Sequence, residues 1–217
     1  FAGQALGDFG DHQDGRAGRQ TGFAMFLSGS VQEVMDLSAV PHLATLEARI
    51  PFMNIFDGFR TSHEIQKVEL MDQEDLIPLV NWDAIKEFRE RALNPESPVT
   101  RGTAPNDDIY FQSREAANKF YDEVPAIVEK YLAKIYEVTG RKYNLFDYYG
   151  AEDADRVIIA MGSVTEAIKE TVDYLNAKGE KVGLVAVHLY RPFKVEAFLG
   201  AIPKTAKRIA VLDRTKE

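Results

Sequence analysis

The chain has 217 residues, with 26 Lys and Arg against 34 Asp and Glu for a net charge of −8, and no cysteine. That length allows one large domain or two small ones, and 45% hydrophobic with 28% charged residues describes a globular chain rather than a disordered one. Zero cysteines exclude a disulfide framework, a cysteine nucleophile, a thiolate zinc site and any iron–sulfur cluster ligated by this chain, and the acidic balance argues against a general nucleic-acid binder.

No apolar run approaches the ~20 residues needed to span a bilayer. The opening FAGQALGDFG has no basic start followed by an apolar stretch, so no signal peptide is expected there. Phe1 opens within a pattern and Glu217 follows a strand-like run, so the chain is expected to be a piece of a longer one. From Asp11 to Gly22 the sequence is polar and glycine-rich, which reads as a loop leading into the first strand. That strand is FAMFL (23–27), ended by Ser28-Gly29. Ser30 and Glu33 then form a capping-box pattern, followed by helical spacing of Val31, Val34, Met35, Leu37, Val40, Leu43 and Leu46, with a kink or break expected at Pro41. The segment IPFMNIF (50–56) reads as a second strand, so residues 23–56 predict a parallel βαβ crossover.

Thr61 and Glu64 repeat the capping-box pattern, and Asn81 or Asp83 suits the start of a helix with Ile85, Phe88 and Leu93 on one face. Residues 94–105 hold three prolines and a glycine and read as a loop or inter-domain connection. Val124, Ile127, Val128, Tyr131, Leu132 and Ile135 mark a helix face closed by Gly140. The last third predicts βαβαβ: a strand at 156–161, a turn at Gly162-Ser163, and a helix at 164–178 with Ala167, Ile168, Val172 and Leu175 inward. A strand at 182–190, a helix at 195–202 and a strand at 208–213 complete it. The fold class is therefore α/β, with open, mostly parallel sheets flanked by helices.

Chemistry-bearing residues are few. HEIQK (63–67) begins like the zinc-protease HExxH, but Lys67 stands where the second ligand belongs, so no zinc site is read and His63 is taken as a helix-start residue. His188 lies in an apolar strand and reads as a hydrogen-bonded core histidine ahead of a catalytic base. Gly162-Ser163 is either a tight turn or a phosphate site at a helix N-terminus. Asp57-Gly58-Phe59-Arg60 follows the second strand at the carboxyl edge, where open α/β sheets place ligands; a structural turn is the default for Asp-Gly. Arg19 suits bidentate binding of a carboxylate, or else is solvated or paired with Asp11 or Asp14.

The strings RQTGFAM, SVQEVMDL, FDGFRTSHEIQK, ALNPESPVTRGTA, VIIAMGS, VGLVAVHLYRPF and RIAVLDRTKE, in that order and over essentially the whole chain, resemble the pyruvate:ferredoxin (flavodoxin) oxidoreductase family. The resemblance implies a parent enzyme that decarboxylates pyruvate on thiamine diphosphate with Mg2+, passes electrons through [4Fe-4S] clusters to ferredoxin or flavodoxin, and delivers the acetyl group to coenzyme A. It implies that residues 1–150 are the later part of the domain facing the thiamine pyrimidine, with the connection near 94–105, and that 151–217 begin a domain similar to the C-terminal domain of transketolases. Arg19 falls on the arginine that binds the pyruvate carboxylate in that family. No cofactor-binding or metal-ligating residue of this chain is assigned, and the chain alone is expected to be inactive. The parent is expected to be a homodimer, cytoplasmic or hydrogenosomal, with no nucleic-acid or membrane partner.

One departure concerns the residues before this arginine. The family carries bulkier side chains there, whereas this chain has Gly15-Arg16-Ala17-Gly18, so Arg16 competes with Arg19 for the same role. The family's preceding segment, with the glutamate that activates the aminopyrimidine and a threonine near the substrate, has no counterpart. Two alternatives remain: a fragment of another 2-oxoacid:ferredoxin oxidoreductase, or a non-catalytic α/β assembly module.

Overall fold

The computed structural model describes residues 9–215. The segment read for a signal peptide therefore lies mostly outside the described residues, as do the last two residues of the RIAVLDRTKE string. The stretch expected to be a loop before the first strand contains a short helix, α1 (Gln13–Gly18). Asp11 starts it by accepting the Gln13 N–H at 2.9 Å, and the Arg16 N–H closes its first turn on the His12 carbonyl at 2.9 Å.

The βαβ unit forms as expected. β1 (Ala24–Leu27) is buried throughout, and β2 (Phe52–Ile55) pairs with it in parallel, Ala24 opposite Phe52 and Leu27 opposite Ile55. The crossover is two helices, α2 (Val31–Leu37) and α3 (Ala39–Ala48), joined at Ser38. The break thus precedes Pro41, which sits in the first turn of α3, where the missing N–H has no helical partner to lose. Ser30 caps α2 by accepting the Glu33 N–H at 3.2 Å. The Glu33 carboxylate reaches back to the Gly29 N–H at 2.5 Å, one residue earlier than a capping box requires.

No helix follows Thr61. Residues 59–63 form turns, and Thr61 Oγ1 is buried without a hydrogen-bond partner. After α4 (Gln73–Leu76) and a 3-10 turn, α5 (Trp82–Glu90) starts at Asn81, whose side chain accepts the Ala84 N–H at 3.0 Å. Phe88 and the following Leu93, at the helical spacing read from the sequence, are exposed, and Ala84 is the buried residue. Residues 94–105 carry no helix and only a bridge between Asn94 and Ser97. Then come α6 (Asp107–Ala116) and α7 (Asn118–Thr139), the latter closed by Gly140 at φ 71°.

β3 (Phe146–Gly150), β4 (Arg156–Ala160), α8 (Val164–Asn176), β5 (Val182–Val187), β6 (Leu189–Arg191), α9 (Val195–Ala201) and β7 (Arg208–Val211) complete the described chain. β4–α8–β5–α9–β7 is the expected βαβαβ, with β4 parallel to both β5 and β7; β3 adds an antiparallel edge. On α8 the buried stripe is Thr165, Ile168 and Val172, while Ala167 is exposed because it lies off that 3.6-residue face.

The single strand expected over 182–190 divides at His188. Leu145 accepts both the His188 and Leu189 N–H groups, at 3.0 and 3.1 Å, and the chain crosses from one sheet to the other. β6 lies antiparallel to β1, giving a three-stranded sheet ordered β2-β1-β6 beside a four-stranded sheet ordered β3-β5-β4-β7. One hydrophobic cluster runs through both, from Phe26, Val40, Val128 and Tyr131 to Val157, Ile159 and Val185. Burial of such side chains, at about 25 cal/mol per Å² of apolar area, is what holds the two sheets together.

Candidate functional site

The carboxyl ends of β2, β4 and β7 converge on α1, and polar residues gather there. Asp57, just past β2, is almost fully buried. Its Oδ1 faces His12 Nε2 at 2.7 Å; its Oδ2 accepts the Ser163 N–H at 2.6 Å and Arg214 Nη1 at 3.1 Å. The other ring nitrogen of His12, Nδ1, faces Asp213 Oδ1 at 3.1 Å. Asp213 also pairs with Arg16, which donates to the Tyr190 hydroxyl and lies 4.8 Å from the Tyr190 ring centre. Burial alone would raise the Asp57 carboxyl, but hydrogen bonds from His12 and Ser163 hold it below the ordinary carboxylate value.

This arrangement decides between the two readings of Gly162-Ser163. The turn needs glycine because φ is +74° and a Cβ would stand 2.9 Å from both Asp57 Oδ1 and His12 Nε2. The Ser163 N–H that would cradle a phosphate is spent on Asp57. Asp57 itself is a structural junction between the sheets.

Arg19 is placed differently from Arg16. It follows the last residue of α1, is exposed, and among the described residues its guanidinium has no hydrogen-bond or ion-pair partner. It borders an open depression of about 610 Å³ lined also by Gln20, Arg114, Tyr190, Arg191 and Phe193. The Arg191 guanidinium is anchored there, donating to the Phe23 carbonyl at 2.8 Å and lying 5.3 Å from the Tyr121 ring centre. Three guanidinium groups around one opening favour an anionic ligand. Sequence reasoning missed Arg114 and Arg191, because they come from α6 and β6, about 95 and 170 positions away, and no local spacing links them to Arg19.

The remaining histidines are structural or exposed. His188 is buried, with Nδ1 2.9 Å from the Leu27 carbonyl and Nε2 3.1 Å from Asp147, as the core-histidine reading expects. His63 does not start a helix; it stacks on Phe59, with ring centres 4.4 Å apart, beside the Ser62 hydroxyl. Two buried acids on α2 also escaped the hydrophobic pattern. Asp36 accepts from Arg141 and Tyr143, and Glu33 from the Gly29 N–H, so α2 turns acids as well as apolar residues inward.

Among solved structures, 2-oxoglutarate:ferredoxin oxidoreductase from Magnetococcus marinus, with 2-oxoglutarate, coenzyme A and succinyl-CoA bound, shares the fold. It aligns with a TM-score of 0.58 at 14% identity over 97% of this chain and 39% of that one. The fold is thus an α/β architecture shared with that 2-oxoacid:ferredoxin oxidoreductase.

Residues 1–133 match the family model described as pyruvate flavodoxin/ferredoxin oxidoreductase, thiamine diphosphate-binding, and residues 154–217 match pyruvate:ferredoxin oxidoreductase core domain II. The chain is 63% identical over 217 residues to pyruvate-flavodoxin oxidoreductase from Enterobacter agglomerans, covering all of this chain and 18% of that protein. It is 63% identical over 213 residues to pyruvate:ferredoxin oxidoreductase from Moorella thermoacetica, again covering 18% of the relative and 98% of this chain. The chain belongs to the pyruvate:ferredoxin/flavodoxin oxidoreductase family.

Among the described residues, the Gly162-Ser163 turn does not fit the diphosphate end of thiamine diphosphate. The amide at the Gly162-Ser163 turn is held by a carboxylate that would repel phosphate, and among the described residues no group of three or more His, Asp or Glu side chains is arranged for a metal ion. Among the described residues no helix is long and apolar enough to cross a membrane.

Proposed function

We propose that this chain is the substrate-facing part of an enzyme that oxidatively decarboxylates pyruvate to acetyl-CoA and passes electrons to ferredoxin or flavodoxin, with Arg19 holding the pyruvate carboxylate. Thiamine diphosphate supplies the carbanion chemistry in such an enzyme. The iron–sulfur clusters would belong to other parts of the parent, since this chain has no cysteine to ligate one.

One observation carries the role of Arg19. Of the two arginines at α1, Arg16 is engaged by Asp213 and Tyr190, whereas among the described residues Arg19 stands unpartnered at the opening shared with Arg114 and Arg191. A guanidinium with no internal partner keeps its fork of donors for an incoming carboxylate. Its work is orientation, not bond breaking. A charge-assisted contact is worth about 1.5–3 kcal/mol, so Arg19→Ala in the full-length enzyme lowers kcat/KM for pyruvate by at least about tenfold. Steady-state kinetics check this, and an unchanged kcat/KM removes Arg19 from the site.

The two further arginines favour a second reading, a 2-oxo acid with a second carboxylate. Turnover of pyruvate, 2-oxobutyrate and 2-oxoglutarate by the full-length enzyme separates the two; the first reading requires pyruvate to be preferred over 2-oxoglutarate.

A further inference from the structure

Arg19 follows a helix of six residues, Gln13–Gly18, in which only Gly18 is buried. A helix that short does not hold itself in water, and most helical stability comes from an apolar face that α1 lacks. Apart from the close approach of Gly15 and Gly18 to Ile55 and Met53, its anchors are polar and come from far along the chain. At its start, the His12 N–H donates to the Arg214 carbonyl at 3.1 Å, while the His12 ring bridges Asp57 and Asp213. Within the helix, Arg16 pairs with Asp213 and lies on Tyr190. Every one of these partners sits at or beside a strand end: Asp57 after β2, Tyr190 in β6, Asp213 and Arg214 after β7.

We infer that the Arg16–Asp213 pair, backed by Tyr190, is a clamp that fixes α1 and thereby sets where Arg19 presents its guanidinium. Arg16 and Asp213 are positioning residues: neither needs to touch the substrate. The inference rests on the reading of Arg19 as the carboxylate-binding arginine. It also gives a physical use to the Gly15-Arg16-Ala17-Gly18 run: Gly18, with no room for a Cβ beside Met53, and Gly15, facing Ile55, bring the backbone of α1 close to the sheet, and Arg16 holds it there. The ion pair adds a charged tie to the close approach of the α1 backbone to Met53 and Ile55.

Neutralising Asp213 has a second consequence. Arg16 lies three residues before Arg19, and Tyr190 lines the opening that Arg19 borders. Freed from Asp213, the Arg16 guanidinium becomes a rival for the substrate carboxylate. Asp213 therefore suppresses a wrong docking geometry as well as holding the right one.

The test uses the full-length enzyme with Asp213→Asn, Arg16→Gln and the charge-swapped double variant Arg16→Asp/Asp213→Arg, and two readouts. Amide hydrogen exchange over residues 12–22 is expected to quicken by about tenfold in each single variant, with the core of α7 unchanged. KM for pyruvate is expected to rise about fivefold with kcat within about twofold of wild type. The swapped pair restores both in part. Unchanged exchange in both single variants overturns the clamp. Faster exchange with an unchanged KM overturns the positioning role. Arg19→Ala, measured alongside, separates the two readings: if it leaves kcat/KM untouched, the failure belongs to the assignment of Arg19, and the exchange data still decide whether the clamp exists. Should Asp213→Asn loosen α7 as well, Arg16→Gln decides alone, because its side chain is partly exposed and its loss opens no cavity in the core.

Discussion

Burial alone would strip the proton from His188, yet the ring is held charged, its pKa raised to about 9 by the Asp147 hydrogen bond, the nearby Glu33 charge and the Leu27 carbonyl. Asp147 shifts the other way; burial opposes its ionisation, and the bond from His188 more than compensates. The sign of the linkage follows. A histidine whose folded pKa lies above its ordinary 6.5 adds stability that is complete below pH 6.5 and lost as pH rises through about 9. The Asp147 part is present above the ordinary carboxylate value of 3.8 and lost as pH falls below it. The urea midpoint of the chain is therefore expected to fall between pH 6.5 and 9, and His188→Gln to flatten that fall. A wild-type midpoint constant over this window would remove the ion pair. The sequence exposes His188 as a core residue through its apolar neighbours, but not its partner. Asp147 lies on β3, 41 residues away, and a pairing across strands leaves no periodic trace. The same holds at the site: Arg19 is legible from its motif, whereas the engagement of Arg16 depends on Asp213, almost two hundred residues on.

Elements built from local signals follow the sequence closely. α7 and its glycine cap, α8 and the β1–α2 start all rest on periodicity and capping within one or two turns of chain. Elements shaped by distant contacts do not. β3 shows no clear alternation because both its faces are partly covered, Tyr149 bonding to Asp173 of α8 and Phe146 meeting Phe198 of α9, while its end is exposed, and the strand over 182–190 splits because Leu145 captures two amides at the crossing. α1 reads as a loop in the sequence because its anchors lie at other strand ends. The Gly162-Ser163 turn shows what such convergence costs a substitution. Gly162→Ala forces a non-glycine residue to φ +74° and drives its methyl to within 2.9 Å of buried Asp57 and His12 atoms. Backbone strain of this kind costs about 1–3 kcal/mol, so the variant is expected to unfold at clearly lower urea. The alanine variant of Gly179, also at positive φ but with open space where its Cβ would stand, separates the two contributions. Equal losses in both would mean that crowding against Asp57 adds nothing.

At the scale of the whole chain, the apolar surface is uneven. Among the described residues, β7 borders the four-stranded sheet, pairs on one side only with β4, and has all four residues exposed, Val211 at 72%. Phe193 and Leu212, which line one opening with Val211, are exposed as well. An unpaired strand edge with apolar neighbours is a template for pairing with another chain, and a clustered apolar surface of this kind marks an interaction face. The chain spans about 18% of the length of its two 63%-identical relatives, so in an enzyme of that length most of the mass is available to cover such a face. Taken alone, the 217-residue chain is expected to self-associate through β7 as its concentration rises. Its net charge of −8 opposes that association, and added salt screens the repulsion, so the oligomer fraction in sedimentation velocity should grow with ionic strength. Val211→Lys places a charge on the edge without disturbing the core and is expected to return the chain to monomer. A chain that stays monomeric at every concentration and salt level would show that β7 is tolerated in water as it stands, and that its apolar residues serve no partner face.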